Sequence, residues 1–242
     1  MCKIIGHRGN KERYLENTLE GFRSVLKSPT VDGIEFDVVT SKDKKLFISH
    51  DLYIKHNKKN LYFHTLTYDE IRELSDDKRK YPLLIDTLKL CNEHKKQNNT
   101  ILIELKTLPA LDGSRVVDST HIAQIHKMIY QFDLQNISYL ISFDYRLIEH
   151  SYHQNRDIKT GLILHRNLLP LLPLMQNLDC NALIMEHSWI TQKQVSDMSA
   201  QNISIFAWAP NKKRDWVRLQ KMGIFGIITD RPESLQDYLH KL

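Results

Sequence analysis

The 242-residue chain contains no run of about 18 apolar residues, which excludes a membrane-spanning helix. It has three cysteines, Cys2, Cys91 and Cys180, scattered without metal-like spacing. An odd number so placed argues for reduced thiols that fill the core. Internal repeats, low-complexity tracts and linkers are absent. No Gly-x-Gly-x-x-Gly follows the first apolar run, which removes the usual sign of dinucleotide binding. Neither charge sign dominates: 34 Lys and Arg stand against 29 Asp and Glu, for a net charge of +5. That mild excess tilts the partner towards anions without calling for nucleic acid. The Lys-rich stretches at 42–45, 55–59, 78–80 and 212–214 are interleaved with Asp and Glu, as in solvated loops and helix ends. The N-terminus, Met1-Cys2-Lys3-Ile4-Ile5-Gly6-His7-Arg8, turns polar after two apolar residues. It has the form of neither a signal peptide nor a transit peptide, so a cytoplasmic location is expected.

What is present is a core-forming composition, 41% hydrophobic and 26% charged, which excludes disorder, a coiled coil and a fibre. Short β-branched apolar runs alternate with longer amphipathic stretches. The strand-like runs are 3–7, 33–40, 100–106, 137–143, 159–165, 182–187, 204–209 and 226–230. Helix-like segments cover 17–27, 84–96, 115–132, 145–155, 192–201 and 213–222, and Pro232 at an N1 position opens a final helix. Eight such alternations in about 250 residues predict an α/β protein of the (β/α)8 TIM-barrel type, one domain over residues 1–242. The rhythm breaks between 41 and 83, where a further strand-like run at 46–50, a polar loop and a short helix near 68–74 intervene. In a barrel that excursion follows strand two, so it is expected as a small insertion over the C-terminal rim, where active sites sit.

Catalytic groups of such a barrel belong at the C-terminal strand ends, on the inward face. His7 and Arg8 end the first run. Glu35 and Asp37 lie two apart in the second and so share a face, and Glu104 and Lys106 repeat the pattern in the third. Charged groups inside apolar strands are costly unless they are paired or bind a metal. On spacing alone two readings stand. Glu35, Asp37 and Glu104 hold a divalent cation through hard oxygen ligands, or they form a salt-bridge network with Arg8, Lys106 and the histidines. Of 12 histidines, His7 and His50 are set apart by their position beside acidic strand ends, and they are the candidates for acid–base work. Glu16 and Asn17 are read as supporting groups near the site or helix caps, and Trp208 as a rim aromatic. His165 and Glu186 are candidate polar contacts, and Asp230 a helix cap before Pro232.

Gly6-His7-Arg8-Gly9, Glu16-Asn17-Thr18, Ile34-Glu35-Phe36-Asp37, Ser49-His50-Asp51 and Ile103-Glu104-Leu105-Lys106 occur in that order. Ala207-Trp208-Ala209-Pro210-Asn211 and Gly226-Ile227-Ile228-Thr229-Asp230-Arg231-Pro232 follow them. Together these motifs resemble the glycerophosphodiester phosphodiesterase family over nearly the whole chain. The resemblance implies a (β/α)8 barrel and one divalent cation, Mg2+ or Ca2+, on Glu35, Asp37 and Glu104. It implies catalysis by His7 and His50 on a small glycerophosphodiester, giving glycerol 3-phosphate and an alcohol. Arg8, Lys106, Glu16 and Trp208 are expected around the phosphate and substrate. The chain departs from the family pattern at Leu15, at 52–57 and at Tyr81-Pro82-Leu83-Leu84, all expected on the rim, where the alcohol is selected. A phospholipase D-like enzyme acting on lysophospholipid or sphingolipid is the alternative. Its support is the leucine-rich stretch 168–174, which would meet acyl chains or a membrane surface if exposed and is a helix packed on the barrel if buried. A non-catalytic phosphate-binding barrel is the second alternative, opposed by the complete set of histidines, carboxylates and Lys106.

Overall fold

The computed structural model describes residues 2–109, 115–116, 119–166 and 170–239. In chain order, strand β1 is Lys3–His7, helix α1 Leu19–Lys27 and β2 Gly33–Thr40. The insertion then supplies β3 (Leu46–Ile48), β4 (Tyr53–His56), β5 (Lys59–Tyr62) and α2 (Tyr68–Leu74). Next come α3 (Leu84–Glu93), β6 (Thr100–Leu105), a two-residue pair β7 (Leu108–Pro109) and β8 (Arg115–Val116), and α4 (Thr120–Gln131). The second half runs β9 (Ser138–Ser142), α5 (Tyr145–Gln154), β10 (Lys159–Leu164), α6 (Leu171–Asn177) and β11 (Ala182–Glu186). It closes with α7 (Gln192–Ser199), β12 (Ser204–Trp208), α8 (Lys213–Lys221), β13 (Gly226–Thr229) and α9 (Pro232–Leu239).

Eight of these strands pair in parallel in the order β1-β13-β12-β11-β10-β9-β6-β2, and β1 pairs β2, so the sheet closes into a (β/α)8 barrel. The period of two along each strand divides the side chains. Ile34, Phe36 and Val38 of β2 point outward into the layer shared with the helices, where the rings of Phe22 and Phe36 lie 5.5 Å apart. The inward set fills the barrel: Ile5, Leu102, Tyr139, Ile141, Ile163, Ile184, Phe206 and Ile228. Gly33 is required where β2 passes β6, because a Cβ there would sit 1.8 Å from the Thr100 carbonyl oxygen. Gly33→Ala is therefore expected to cost at least the upper end of the ~1–3 kcal/mol typical of overpacking, read as a fall in the urea midpoint.

The expected strands all form, most within a residue of their predicted ends. Three segments differ. The helix expected from Arg115 begins at Thr120, because Arg115–Val116 pairs antiparallel with Leu108–Pro109; residues 117–118 of that expected helix lie outside the described residues. Within the insertion, the expected polar loop contains the β4–β5 hairpin. Asn57 and Lys58 both have positive φ, 50° and 63°, the signature of a two-residue turn matched to strand twist. Alternation is faint there because Ile54 is the one buried residue among the eight of the two strands. The insertion packs a small core of its own, Phe47, Ile54, Phe63 and Ile71, against Val39 of β2. In the leucine-rich stretch, residues 168–169 lie outside the described residues. Leu171 is buried there, and Leu172 and Leu174 pack on the main core through α6. Among the described residues no helix is long and apolar enough to cross a membrane.

Candidate active site

The same period of two that fills the barrel builds its mouth. Two residues beyond an inward core position, several strands deliver a rim side chain: Ile5 to His7, Leu102 to Glu104, Ile163 to His165, Phe206 to Trp208 and Ile228 to Asp230. Strand register then sets neighbours, with His7 opposite Glu35 across β1 and β2, and Asp37 opposite Glu104 across β2 and β6. A cavity of about 140 Å³ opens there. One wall is charged, made by His7, Arg8, Glu35, His50, Glu104 and Lys106; the facing wall is apolar and aromatic, with Phe143, His165 and Trp208 at its rim. His165 stacks on Phe143 at 4.8 Å and meets the Trp208 ring at 5.0 Å.

Glu35, Asp37 and Glu104 are all buried, and one oxygen from each lies within 4.8 Å of the others. Both sequence readings of this cluster have a physical counterpart. Lys106 Nζ lies 2.8 Å from Asp37 Oδ1 and 2.6 Å from Glu104 Oε1, and Arg8 Nε lies 3.3 Å from Asp37 Oδ2. The Arg8 backbone N–H donates to Glu35 at 3.1 Å, and Asn17 Nδ2 donates to Asp37 at 3.0 Å. Three carboxylates against two cations still leave an unbalanced negative charge out of water. Burial and the neighbouring carboxylates accordingly push Glu35 well above the usual carboxylate range and Glu104 to about 7. Asp37, despite its burial, is held low by Lys106 and Arg8. A hard divalent cation fits this donor set, since it supplies the missing positive charge to three convergent oxygen ligands.

The histidines differ in setting. His7, 15% exposed, has its Nδ1 2.7 Å from Asp230 Oδ1 and its Nε2 3.9 Å from Glu35. Although burial opposes it, the bonds from His7 and Lys11 hold the Asp230 carboxyl below the usual range. The carboxylate can only accept, so Nδ1–H donates to it, and Nε2 is the ring nitrogen left towards Glu35 and the cavity. The helix-cap reading of Asp230 is thus corrected. The α9 N-terminus is served instead by Glu12, whose Oε2 accepts from the N–H groups of Glu233 and Ser234, each at 3.1 Å. Asp230 is left to His7, Lys11 and Asn211, the last at 2.7 Å. The signal was available: Asp230 stands two residues after the inward Ile228, as His7 does after Ile5. Replacing Asp230 with Asn is expected to lower kcat by up to about 10⁴-fold, the loss seen when the carboxylate that fixes the tautomer of a proton-transferring histidine becomes an amide, with KM little changed. Steady-state kinetics reads both constants.

Glu16 lies outside the buried acidic cluster. Its two oxygens hold Arg8 Nη1 and Lys11 Nζ, each at 3.0 Å, so it positions cations. Thr18, rather than Glu16 or Asn17, caps α1. Glu186 turns away and accepts from the Ser188 N–H at 3.0 Å. His50 comes from the turn after β3, is 42% exposed, and has Nδ1 3.2 Å from Asp51 Oδ1. Desolvation, then the charge on Lys106, push its pKa below the ordinary histidine value.

The chain is 23% identical over 278 residues to human lysophospholipase D, covering 99% of this chain and 87% of that protein. It is 23% identical over 251 residues to a glycerophosphodiester phosphodiesterase of Caldanaerobacter subterraneus subsp. tengcongensis, covering 98% of each. In fold it matches an Oleispira antarctica phosphodiesterase, solved in complex with the product sn-glycerol-3-phosphate. There the TM-score is 0.85 and the identity 20%, over 98% of this chain and 96% of that one. The family profile of the glycerophosphoryl diester phosphodiesterases matches residues 7–234, and the chain belongs to that family.

Proposed function

We propose that the protein hydrolyses a glycerophosphodiester to glycerol 3-phosphate and an alcohol, with His7 and His50 as the proton-transfer pair. The observation that carries this reading is the convergence, in one barrel-mouth cavity, of both histidines with Glu35, Glu104, Arg8 and Lys106. Glu35, Asp37 and Glu104 would hold one Mg2+ or Ca2+, which when bound polarises the phosphoryl oxygens and offsets developing charge. Arg8 and Lys106 add fixed positive potential beside the phosphate. Glu16 keeps Arg8 in place, and Trp208 packs on the alcohol portion. His7 Nε2, the ring nitrogen left towards the cavity with Asp230 behind it, takes the proton from the nucleophile, which is water or a neighbouring glycerol hydroxyl. His50, on the open side, returns a proton to the departing alkoxide. The barrel of residues 1–242 is the unit that acts, with 41–83 as its rim.

Release of glycerol 3-phosphate from glycerophosphocholine and glycerophosphoethanolamine, with EDTA, Mg2+ or Ca2+, tests the proposal. Turnover that depends on the cation supports it, and no turnover under any of these conditions refutes it. The human relative's name favours a second reading, hydrolysis of lysophospholipids at the same site. Since Leu171, Leu172 and Leu174 are packed on the barrel core, liposome co-sedimentation is expected to leave the protein in the supernatant. Release of choline from lysophosphatidylcholine at a rate above that from glycerophosphocholine would favour the second reading.

A further inference from the structure

Gly9-Asn10-Lys11-Glu12 follows directly on His7-Arg8, and three of these residues tie the first βα unit of the barrel to the last. Asn10 is buried, and its Nδ2 donates to Ser24 Oγ of α1 at 2.9 Å and to Glu233 Oε1 of α9 at 2.8 Å. Glu12 accepts from the first turn of α9. The backbone of Lys11 is therefore anchored on both sides, and a side chain carried by a fixed backbone reaches a fixed point.

That point lies between two carboxylates. Lys11 Nζ is 2.9 Å from Asp230 Oδ1 and 3.0 Å from Glu16 Oε2. Asp230 Oδ1 is also the atom that accepts from His7 Nδ1 at 2.7 Å, while Oδ2 accepts from Asn211 Nδ2 at 2.7 Å. With Asn211 on one oxygen and Lys11 on the other, the plane of the carboxylate is set independently of the imidazole, which then meets an acceptor already in position. A lysine here has an electrostatic cost, because its charge opposes the imidazolium that forms when His7 takes a proton. Glu16, bound to the same ammonium, offsets that charge. Lys11 stands outside the walls of the barrel-mouth cavity, so its route to the reaction runs through Asp230.

We infer that Lys11 is a positioning residue, whose ammonium holds the Asp230 carboxylate in the orientation that fixes the His7 ring, with Glu16 neutralising it. The inference rests on the proton-transfer role given to His7 above.

Lys11→Met keeps the side-chain stem and removes the ammonium. It is expected to lower kcat for glycerophosphoethanolamine about tenfold, the lower end of the loss for a partner that orients a functional group. KM should stay within about twofold, because no contact with the substrate is removed. Lys11→Arg can span the same two carboxylates and is expected to keep kcat within about threefold of the unaltered protein. Arg13→Gln removes the 2.6 Å pair with Glu233 from the same loop and should leave both constants unchanged. A double-mutant cycle decides the route. In the Asp230→Ala background Lys11→Met should cost less than about twofold further, because the carboxylate through which it acts is gone. An equal loss in that background, or a raised KM with kcat unchanged, would make Lys11 a contact of the substrate and overturn the inference. Near-normal kcat in Lys11→Met overturns it too. These outcomes leave the phosphodiesterase reading standing, whereas no turnover by the unaltered protein refutes that reading and this inference with it.

Discussion

His7→Ala is expected to lower turnover of a glycerophosphodiester by about 10²–10⁴-fold, the range for loss of a general acid or base, while the barrel keeps its thermal midpoint. The effect is large because the ring's geometry is fixed on both sides. Asp230 holds Nδ1 at 2.7 Å, so the ring has one face and one tautomer with which to meet a proton. Stability should survive because His7 is at the rim, two residues beyond the buried Ile5, and its removal opens no internal void. His50→Ala should produce a loss of similar order by a different route. The exposed ring has less packing to lose, and its lowered pKa brings the alkaline limb of the pH–rate profile, where the acid loses its proton, below that of an ordinary histidine. Initial rates across pH with the two variants make the comparison. Either variant retaining near-normal turnover would remove that histidine from the reaction.

Chelation of divalent cations is expected to abolish activity, and Glu104→Gln to lower it by about 10³-fold. Charge stabilisation by a bound cation is worth several kcal/mol, and each 1.4 kcal/mol is a factor of ten. A stability signature accompanies the loss, and its sign follows from the raised carboxyls. In the cation-free protein Glu104 keeps its proton up to about pH 7, whereas in the unfolded chain it releases it near 4.5. The folded state therefore binds the extra proton, and the stability this gives is complete below about 4.5 and is lost as pH rises to about 7. A cation replaces that proton, so the rise in Tm on adding Mg2+ or Ca2+ should be small at pH 5.5 and larger at pH 8. Glu104→Gln should remove most of the cation-dependent rise. It should also make the cation-free protein more stable at pH 8, because one of three mutually repelling carboxylates is gone. Thermal melts in EDTA and in excess cation decide this. A cation response independent of pH would mean that these carboxylates are not its ligands.

The barrel was legible because its signals are local and repeated. Eight β-branched runs at the spacing of strand and helix leave few alternatives, and alternation along β2 and β6 puts Glu35, Asp37 and Glu104 on the inward face before any coordinate is known. His7 was legible for the same reason, as the rim position on β1. The β4–β5 hairpin was hidden because its residues are almost all solvated, so alternation, which reports burial, had nothing to report. Asp230 was misread because a carboxylate ahead of Pro232 has the form of a cap. Only closure of β1 against β13 brings it to His7, 223 positions away in sequence, while Glu12 takes the cap. The sequence by itself thus determined the period, the architecture and the inward carboxylates, since these follow from neighbours a few residues apart. Tertiary structure alone decided which ion pairs hold Arg8 and Lys106, which ring nitrogen of His7 is free, and that Lys11 stands between Glu16 and Asp230. Those properties depend on distances between chain-remote groups, which strand register and loop packing fix and local residue pattern does not.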